Sequence, residues 1–81
     1  MNMKEIEAYV RKKVVENHWG CKELTTYGIV WDIRRAMLIN YEDYTYRAFN
    51  SLRRLACKIL NEMTKEGLLE HKPRSIYWWY K

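Results

Sequence analysis

Apolar residues recur at helical spacing over most of this chain, and the spacing changes only near its end. Between Met3 and Val14, four apolar residues follow one another at intervals of three or four positions, which places them on one face of an α-helix. The pattern predicts a first helix from Met3 to about His18. Gly20 is the expected stop, because glycine readily adopts the left-handed conformation that ends helices.

A connector, Cys21–Thr26, follows the first helix, and extended backbone is expected near its start. Thr25 or Thr26 is expected to cap a second helix, because a threonine hydroxyl accepts a hydrogen bond from a free backbone N–H group. The second helix is predicted to run to about Leu38, and Ile39–Tyr44 interrupts the pattern as a turn. Its apolar face is formed by Ile29, Val30, Ile33, Ala36 and Met37.

The third helix carries the longest unbroken pattern, from about Asp43 to Lys65. Eight residues keep the helical period there: Ala48, Phe49, Leu52, Leu55, Ala56, Ile59, Leu60 and Met63. Asp43 or Thr45 is the expected N-cap, and Gly67 is the expected stop.

After Gly67 the apolar period changes from 3.6 to 2, which is typical of strands. Leu68–Lys72 and Ile76–Lys81 are predicted to form a hairpin whose turn is Lys72–Ser75. One face of the second strand would carry Ile76, Trp78 and Tyr80, and the other Tyr77 and Trp79. A lone hairpin is only marginally stable, so one of these faces must pack on the helices. The prediction is therefore a single, mostly helical α+β domain spanning residues 1–81.

Composition narrows the classes of function. The net charge of +5 favours a polyanionic partner, but only if the charge lies on one face. No apolar run is long enough to span a membrane and no secretory signal is visible, so we expect a cytoplasmic protein without membrane contact. Cys21 and Cys57 are too few for a secreted disulfide framework. Free, buried thiols are the simpler interpretation, with a bridge between the two as the alternative.

The polar face of the third helix is the main functional signal. On a helical wheel, seven residues fall opposite the apolar stripe: Arg47, Asn50, Ser51, Arg54, Lys58, Asn61 and Lys65. A solvated helix face usually mixes charges of both signs, whereas this face has no acidic residue between Arg47 and Asn61. Cations and amides are the groups that contact phosphates and the base edges of the major groove.

The run TTYGIVWDIRRAM (25–37), a turn, and then YEDYTYRAFNSLRRLACKILNEMTKEGLLE resembles a winged helix-turn-helix domain. The phrase NEMTKEGLLEHKPRSIYWW (61–79) is similar to the end of a recognition helix, a wing strand, the wing tip and the return strand. The resemblance covers about residues 3–81 and depends on element order and this phrase. In size and aromatic content the chain is also similar to small DNA-binding proteins of archaea and their viruses. A viral origin would place it in a host cell.

The resemblance implies three helices followed by a hairpin wing, with the recognition helix at about 43–65 in the major groove and the wing at 68–81 on the DNA backbone. It implies that the N-terminus of the second helix offers backbone N–H groups to a phosphate. The residues expected to contact DNA are Thr26, Tyr44, Thr45, Arg47, Asn50, Ser51, Arg54, Lys58, Lys72 and Arg74.

Other kinds of site have weaker support. His18, Cys21, Cys57 and His71 follow no zinc-ligand spacing. No nucleophile stands beside a histidine and an acid in the sequence, and no phosphate-binding glycine loop occurs. We therefore expect no metal, no cofactor, no small-molecule ligand and no enzymatic activity. Stacking of the terminal aromatic residues on single-stranded bases is less favoured than their use in the core or in a dimer contact.

The resulting hypothesis is a homodimeric DNA-binding protein that regulates transcription by occupying a specific duplex site. Dimerisation is expected because the core is small and aromatic residues are abundant, with Val15 and Trp19 lying off the stripe of the first helix. The alternative is a winged-helix module that binds protein through its aromatic hairpin.

Overall fold

The computed structural model describes residues 3–37 and 45–81. Within these ranges the protein has an α+β, mostly helical fold, as the sequence predicts. The elements in chain order are α1 (Met3–Val15), β1 (Glu23–Leu24), α2 (Thr26–Ala36), α3 (Tyr46–Lys65), β2 (Leu69–His71) and β3 (Trp78–Tyr80). The predicted turn Ile39–Tyr44, with Asp43 as a possible cap and Tyr44 as a possible DNA contact, lies outside the described residues, as does Leu38.

Two threonines cap the second and third helices. The Thr25 hydroxyl accepts a hydrogen bond from the Gly28 amide at 3.0 Å, and the Thr45 hydroxyl accepts one from the Ala48 amide at 3.1 Å. Both threonines have extended backbone, as N-cap residues normally do. Thr25 rather than Thr26 is therefore the cap of α2, and Thr45 is the cap of α3.

The ends of α1 and α3 share one capping motif. After α3, Gly67 has φ +87°, and the Leu68 amide donates to the Met63 carbonyl at 3.0 Å, which closes a Schellman motif. After α1, the His18 amide donates to the Lys13 carbonyl at 3.0 Å around Asn17, whose φ is +47°. The prediction that Gly20 stops α1 near His18 is wrong, because Asn17 adopts the left-handed conformation three residues earlier.

The sheet contains one strand more than the predicted hairpin. Its order is β1-β3-β2, and both pairings are antiparallel. Trp79, at the centre of the middle strand, lies opposite Glu23 on one side and Glu70 on the other. The extended start of the connector thus continues into β1, which pairs with the return strand of the hairpin and supports it.

The sheet packs its inner face on the helices. Trp78 is 4% exposed, and Tyr80 lies partly buried against the core. Burial raises the pKa of the Tyr80 phenol, and the neighbouring Cys21 raises it further. Ile76 was expected on this face, but it precedes β3 and is 60% exposed. The core consists of Ile6, Val10, Val14, Leu24, Ile29, Val30, Ile33, Leu52, Leu55, Ala56, Ile59, Leu60, Met63, Leu69 and Trp78.

Other side chains off the helical stripes have mixed positions. Trp19 packs partly buried against the core, whereas Val15 is 65% exposed.

Cys21 and Cys57 are free thiols and half-buried rather than fully buried. In the described part of the chain, no helix has the length and apolar character needed to cross a membrane.

Candidate nucleic-acid interface

The first half of α3 presents a cationic and amide-bearing surface. Arg47, Ser51 and Arg54 are exposed, and Asn50 beside them is half-buried. They lie on this side because the apolar stripe of the same helix packs into the core. Arg47 and Arg54 are about 10 Å apart along the helix axis, which fits within the roughly 12 Å width of a B-DNA major groove.

The N-terminal end of α3 adds two hydroxyl-bearing side chains, Thr45 and Tyr46, to this surface. Thr45 is exposed, but its hydroxyl oxygen already accepts the capping bond, so only its O–H remains to donate. Tyr46 follows it and is 81% exposed. Tyr46 is not among the residues expected from the sequence to contact DNA, although its position off the apolar stripe of α3 marks it as exposed.

The second half of α3 differs in charge from the first half, because acidic side chains lie close to its cations. The Lys58 ammonium lies 3.9 Å from a Glu62 carboxylate oxygen, and Arg11 of α1 lies 3.5 Å from Glu62. Arg11 also forms a bidentate ion pair with Glu66, and this hydrogen bond raises the pKa of the guanidinium. The charge of Lys58 is therefore shared with an acid, while Arg47 and Arg54 have no ion-pair partner in the described residues.

Asn61 connects α3 to the sheet instead of facing a ligand. Its side-chain oxygen accepts a hydrogen bond from the Trp78 indole at 3.3 Å, and its amide donates to the Cys57 sulfur at 3.6 Å. Trp78 stands opposite His71 in the sheet. Because β2 begins after the C-terminus of α3 and its last residue, His71, pairs with the Trp78 that bonds Asn61, the hairpin runs back beside the C-terminal part of α3.

The hairpin tip is a tight, braced turn. The Ser75 amide donates to the Lys72 carbonyl at 3.1 Å, with Pro73 second and Arg74 third in the turn. Arg74 has φ +66°, as the third residue of a type II turn requires. The ring nitrogen Nε2 of His71 lies 2.8 Å from the Ser75 carbonyl oxygen, and the imidazole stacks on Trp78 at 4.2 Å between ring centroids. Arg74 is exposed at the end of this turn.

Lys72 lies on the outer face of the sheet. Its ammonium is 5.7 Å from the centroid of the Trp79 ring, a cation–π distance. Glu70 and Glu23 lie beside the same ring in the strand register. Lys72 is exposed like Arg74, but a phosphate bound to its ammonium would lie close to these acids, whereas Arg74 stands at the end of the turn.

The N-terminus of α2 offers less than the sequence suggested. Thr26 is only 8% exposed, so its side chain has almost no surface for a ligand. The Gly28 amide is already bonded to Thr25. The remaining candidates for a phosphate contact at this end are the backbone N–H groups of the first two helical residues and the half-exposed Tyr27.

The flank of α2 beside α3 carries an aromatic surface that the sequence analysis missed. The Tyr27 and Phe49 rings lie 5.8 Å apart, and Trp31, one turn along, is 55% exposed with the Arg34 guanidinium 5.2 Å from its ring. The acid of this helix, Asp32, points to α1 instead, where the Tyr9 hydroxyl donates to it at 2.7 Å. Burial and this hydrogen bond raise the pKa of Tyr9 to about 12. This surface could have been predicted from the sequence, because Trp31 lies off the apolar stripe of α2 and precedes Arg34 by three residues.

Comparison of the chain with known protein families, with curated proteins and with solved structures gives no match. Within residues 3–37 and 45–81, no three His, Cys, Asp or Glu side chains are grouped so that they could hold a metal ion. Of the residues expected to contact DNA, the structure brings Arg47, Asn50, Ser51 and Arg54 onto one surface and leaves Thr26 buried.

Proposed function

We propose that this protein binds double-stranded DNA as a winged helix-turn-helix domain. The first half of α3 enters the major groove, and the tip of the β2–β3 hairpin, the wing, contacts the phosphate backbone. The protein regulates transcription by occupying its site and performs no chemistry.

The observation that carries the proposal is the surface formed by Arg47, Asn50, Ser51 and Arg54. These side chains follow one another over two turns of α3, and the first acidic residue on the helix is Glu62. A guanidinium can bond the O6 and N7 atoms of guanine, and an asparagine amide can bond the N6 and N7 atoms of adenine. The surface therefore has the chemistry for reading base edges as well as for binding phosphates.

The conformation of Arg74 supports the proposal independently. An L-residue with left-handed backbone costs roughly 1–2 kcal/mol, and glycine would fit this turn without that cost. Strained residues persist mainly where their side chains are used. A guanidinium at the tip of a hairpin that runs back along α3 is suited to hold a phosphate beside the groove that α3 enters.

A salt titration on duplex DNA tests the proposal. Four or five cations at phosphates predict a slope of log affinity against log salt of about −4. Arg54→Ala should weaken binding, whereas Lys12→Ala on α1 removes the same charge from an exposed site outside the proposed interface and should leave affinity nearly unchanged. Equal effects of the two substitutions would indicate non-specific charge attraction. Failure to bind any duplex at low salt would refute the proposal.

A second candidate function is protein binding through the aromatic hairpin. It is favoured by the outer face of the sheet, where Tyr77 and Trp79 are accessible and are accompanied by acids. This surface differs in charge from the first half of α3, so the two functions can coexist on one domain.

A further inference from the structure

We infer that the outer face of the three-stranded sheet is a self-association surface, and that its partner is a second copy of this chain. The inference stands on the side chains of this face and does not depend on DNA binding. The face is formed by Glu23, Leu68, Glu70, Lys72, Tyr77 and Trp79.

Strand alternation separates this face from the core. Leu69 and Trp78 point inward and are almost completely buried, so Leu68, Glu70 and Trp79 point outward. Leu68 is 47% exposed and Tyr77 is 39% exposed. Apolar and aromatic side chains thus form the centre of a surface that no other part of the described chain covers.

The charges around this centre select the partner. Trp79 lies between two carboxylates, and its indole donates a hydrogen bond to Glu23 at 3.3 Å. The Lys72 ammonium is positioned over the same ring. The carboxylates of Glu23 and Glu70 repel phosphates, which makes this face a poorer surface for a polyanion than the acid-free first half of α3.

The same mixture of charges is complementary to itself. Two copies can pack these faces together around a two-fold axis that lies between the sheets and runs perpendicular to the strands. This axis places β2 of one copy opposite β2 of the other, and the two strands run in opposite directions. Glu70 then faces the partner's Lys72, and Lys72 faces the partner's Glu70, while the Trp79 and Tyr77 rings pack beside these pairs, on the neighbouring strand. Such an isologous contact forms the Glu70–Lys72 pair twice, so that each of these charges gains one partner, and it covers the exposed aromatic rings.

The size of the face determines the strength of the contact. Three strands about 4.8 Å apart give a width of only about 10 Å, and six residues are far fewer than the roughly 20–30 per side of a standard interface. We therefore expect a weak dimer, with a dissociation constant on the order of 0.1–1 mM. If two copies bind one duplex, their high effective concentration favours pairing. This consequence rests on the proposed function, whereas the pairing itself does not.

Charge reversal provides the test, in the absence of DNA. Sedimentation equilibrium at protein concentrations up to about 1 mM measures self-association of the wild type and of the variants Glu70→Lys and Lys72→Glu. We expect a weak dimer for the wild type only. Each substitution places like charges opposite one another and should weaken association about tenfold or more. An equimolar mixture of the two variants should associate again, because each then faces the opposite charge. Lys12→Glu, the same charge change on α1, should associate like the wild type.

A positional measurement identifies the surface. The indole N–H resonance of Trp79 should shift with protein concentration, whereas that of Trp31, exposed on α2, should not. A wild type that remains monomeric, a mixture that remains monomeric, or a shift confined to Trp31 would each overturn the inference. Circular dichroism establishes that the variants are folded, which their exposed positions lead us to expect.

Discussion

The Trp78 indole nitrogen lies 3.3 Å from the side-chain oxygen of Asn61 and donates a hydrogen bond to it. This bond joins the middle strand of the sheet to α3, one helical turn before the helix ends at Lys65. Since Trp78 is 4% exposed and stacks on His71, the bond fixes the end of the hairpin nearest its turn relative to α3. The spacing between the cations of α3 and the cation of the hairpin tip therefore depends on two residues that carry no charge.

Two asparagines on α3 should respond differently to truncation. Asn61→Ala loses the bond from Trp78, whereas Asn50 has no hydrogen-bond partner in the described residues. Both substitutions gain the same helix propensity, so Asn50→Ala is a matched control. We expect the free energy of unfolding of Asn61→Ala to be about 1 kcal/mol lower than that of Asn50→Ala. Urea denaturation measures the difference, and equal stabilities would mean that the Asn61–Trp78 bond does not hold the sheet.

The same helix should contain the residues that distinguish DNA sequences. Asn50→Ala and Arg54→Ala should reduce the preference for a selected duplex over a scrambled one by roughly 1–3 kcal/mol each, because they remove contacts to base edges. Lys58→Ala should weaken both duplexes by a similar, small factor, since its charge is shared with Glu62. Binding isotherms on both duplexes measure these effects. If Asn50→Ala weakens the two duplexes equally, Asn50 does not read a base.

Arg74→Gly should separate function from stability. Glycine relieves the left-handed backbone at φ +66°, so the free energy of unfolding should stay constant or rise by up to about 1 kcal/mol. Affinity for every duplex should nevertheless fall by a similar factor, and the salt slope should decrease in magnitude by about one, because a phosphate contact is lost. Arg74→Asn, which also tolerates this conformation, should behave in the same way. A loss of stability in both variants would contradict the turn assignment.

Alkaline pH should weaken the link between α1 and α2. The pKa of Tyr9 is raised from 10.0 to about 12 in the folded protein. Between these values the unfolded chain loses the phenolic proton while the folded chain keeps it, so the stabilisation is complete below pH 10 and is lost as pH rises to 12. Tyr9→Phe has no such proton. Its free energy of unfolding should therefore fall less steeply than that of the wild type over this range, as measured by urea denaturation. Parallel curves would contradict the Tyr9–Asp32 bond.

The sequence by itself determined the local structure of this protein. The apolar stripes placed the three helices, because a helix buries one face and its period of 3.6 is visible in the sequence. The sequence narrowed the N-cap of α3 to Asp43 or Thr45 and placed its end at Gly67, since a side-chain cap and a left-handed glycine act on backbone groups a few residues away. The absence of acids between Arg47 and Arg54 is likewise local, and on the polar face of this run Arg47, Ser51 and Arg54 are exposed as expected while Asn50 is half-buried.

The tertiary structure decided which polar and aromatic side chains remain available to a partner. Asn61 and Arg54 look equivalent on a helical wheel and both are exposed, yet Asn61 accepts a hydrogen bond from Trp78 of the sheet, whereas Arg54 has no such partner in the described residues. The pairing of Lys58 with Glu62 is visible in the sequence as an i,i+4 spacing on one helix, but the contact of the same Glu62 with Arg11 of α1 is not. Trp79 acquires Glu23 as a neighbour from a strand 56 positions away. Such pairings are set by the packing of distant elements, which local periodicity does not encode.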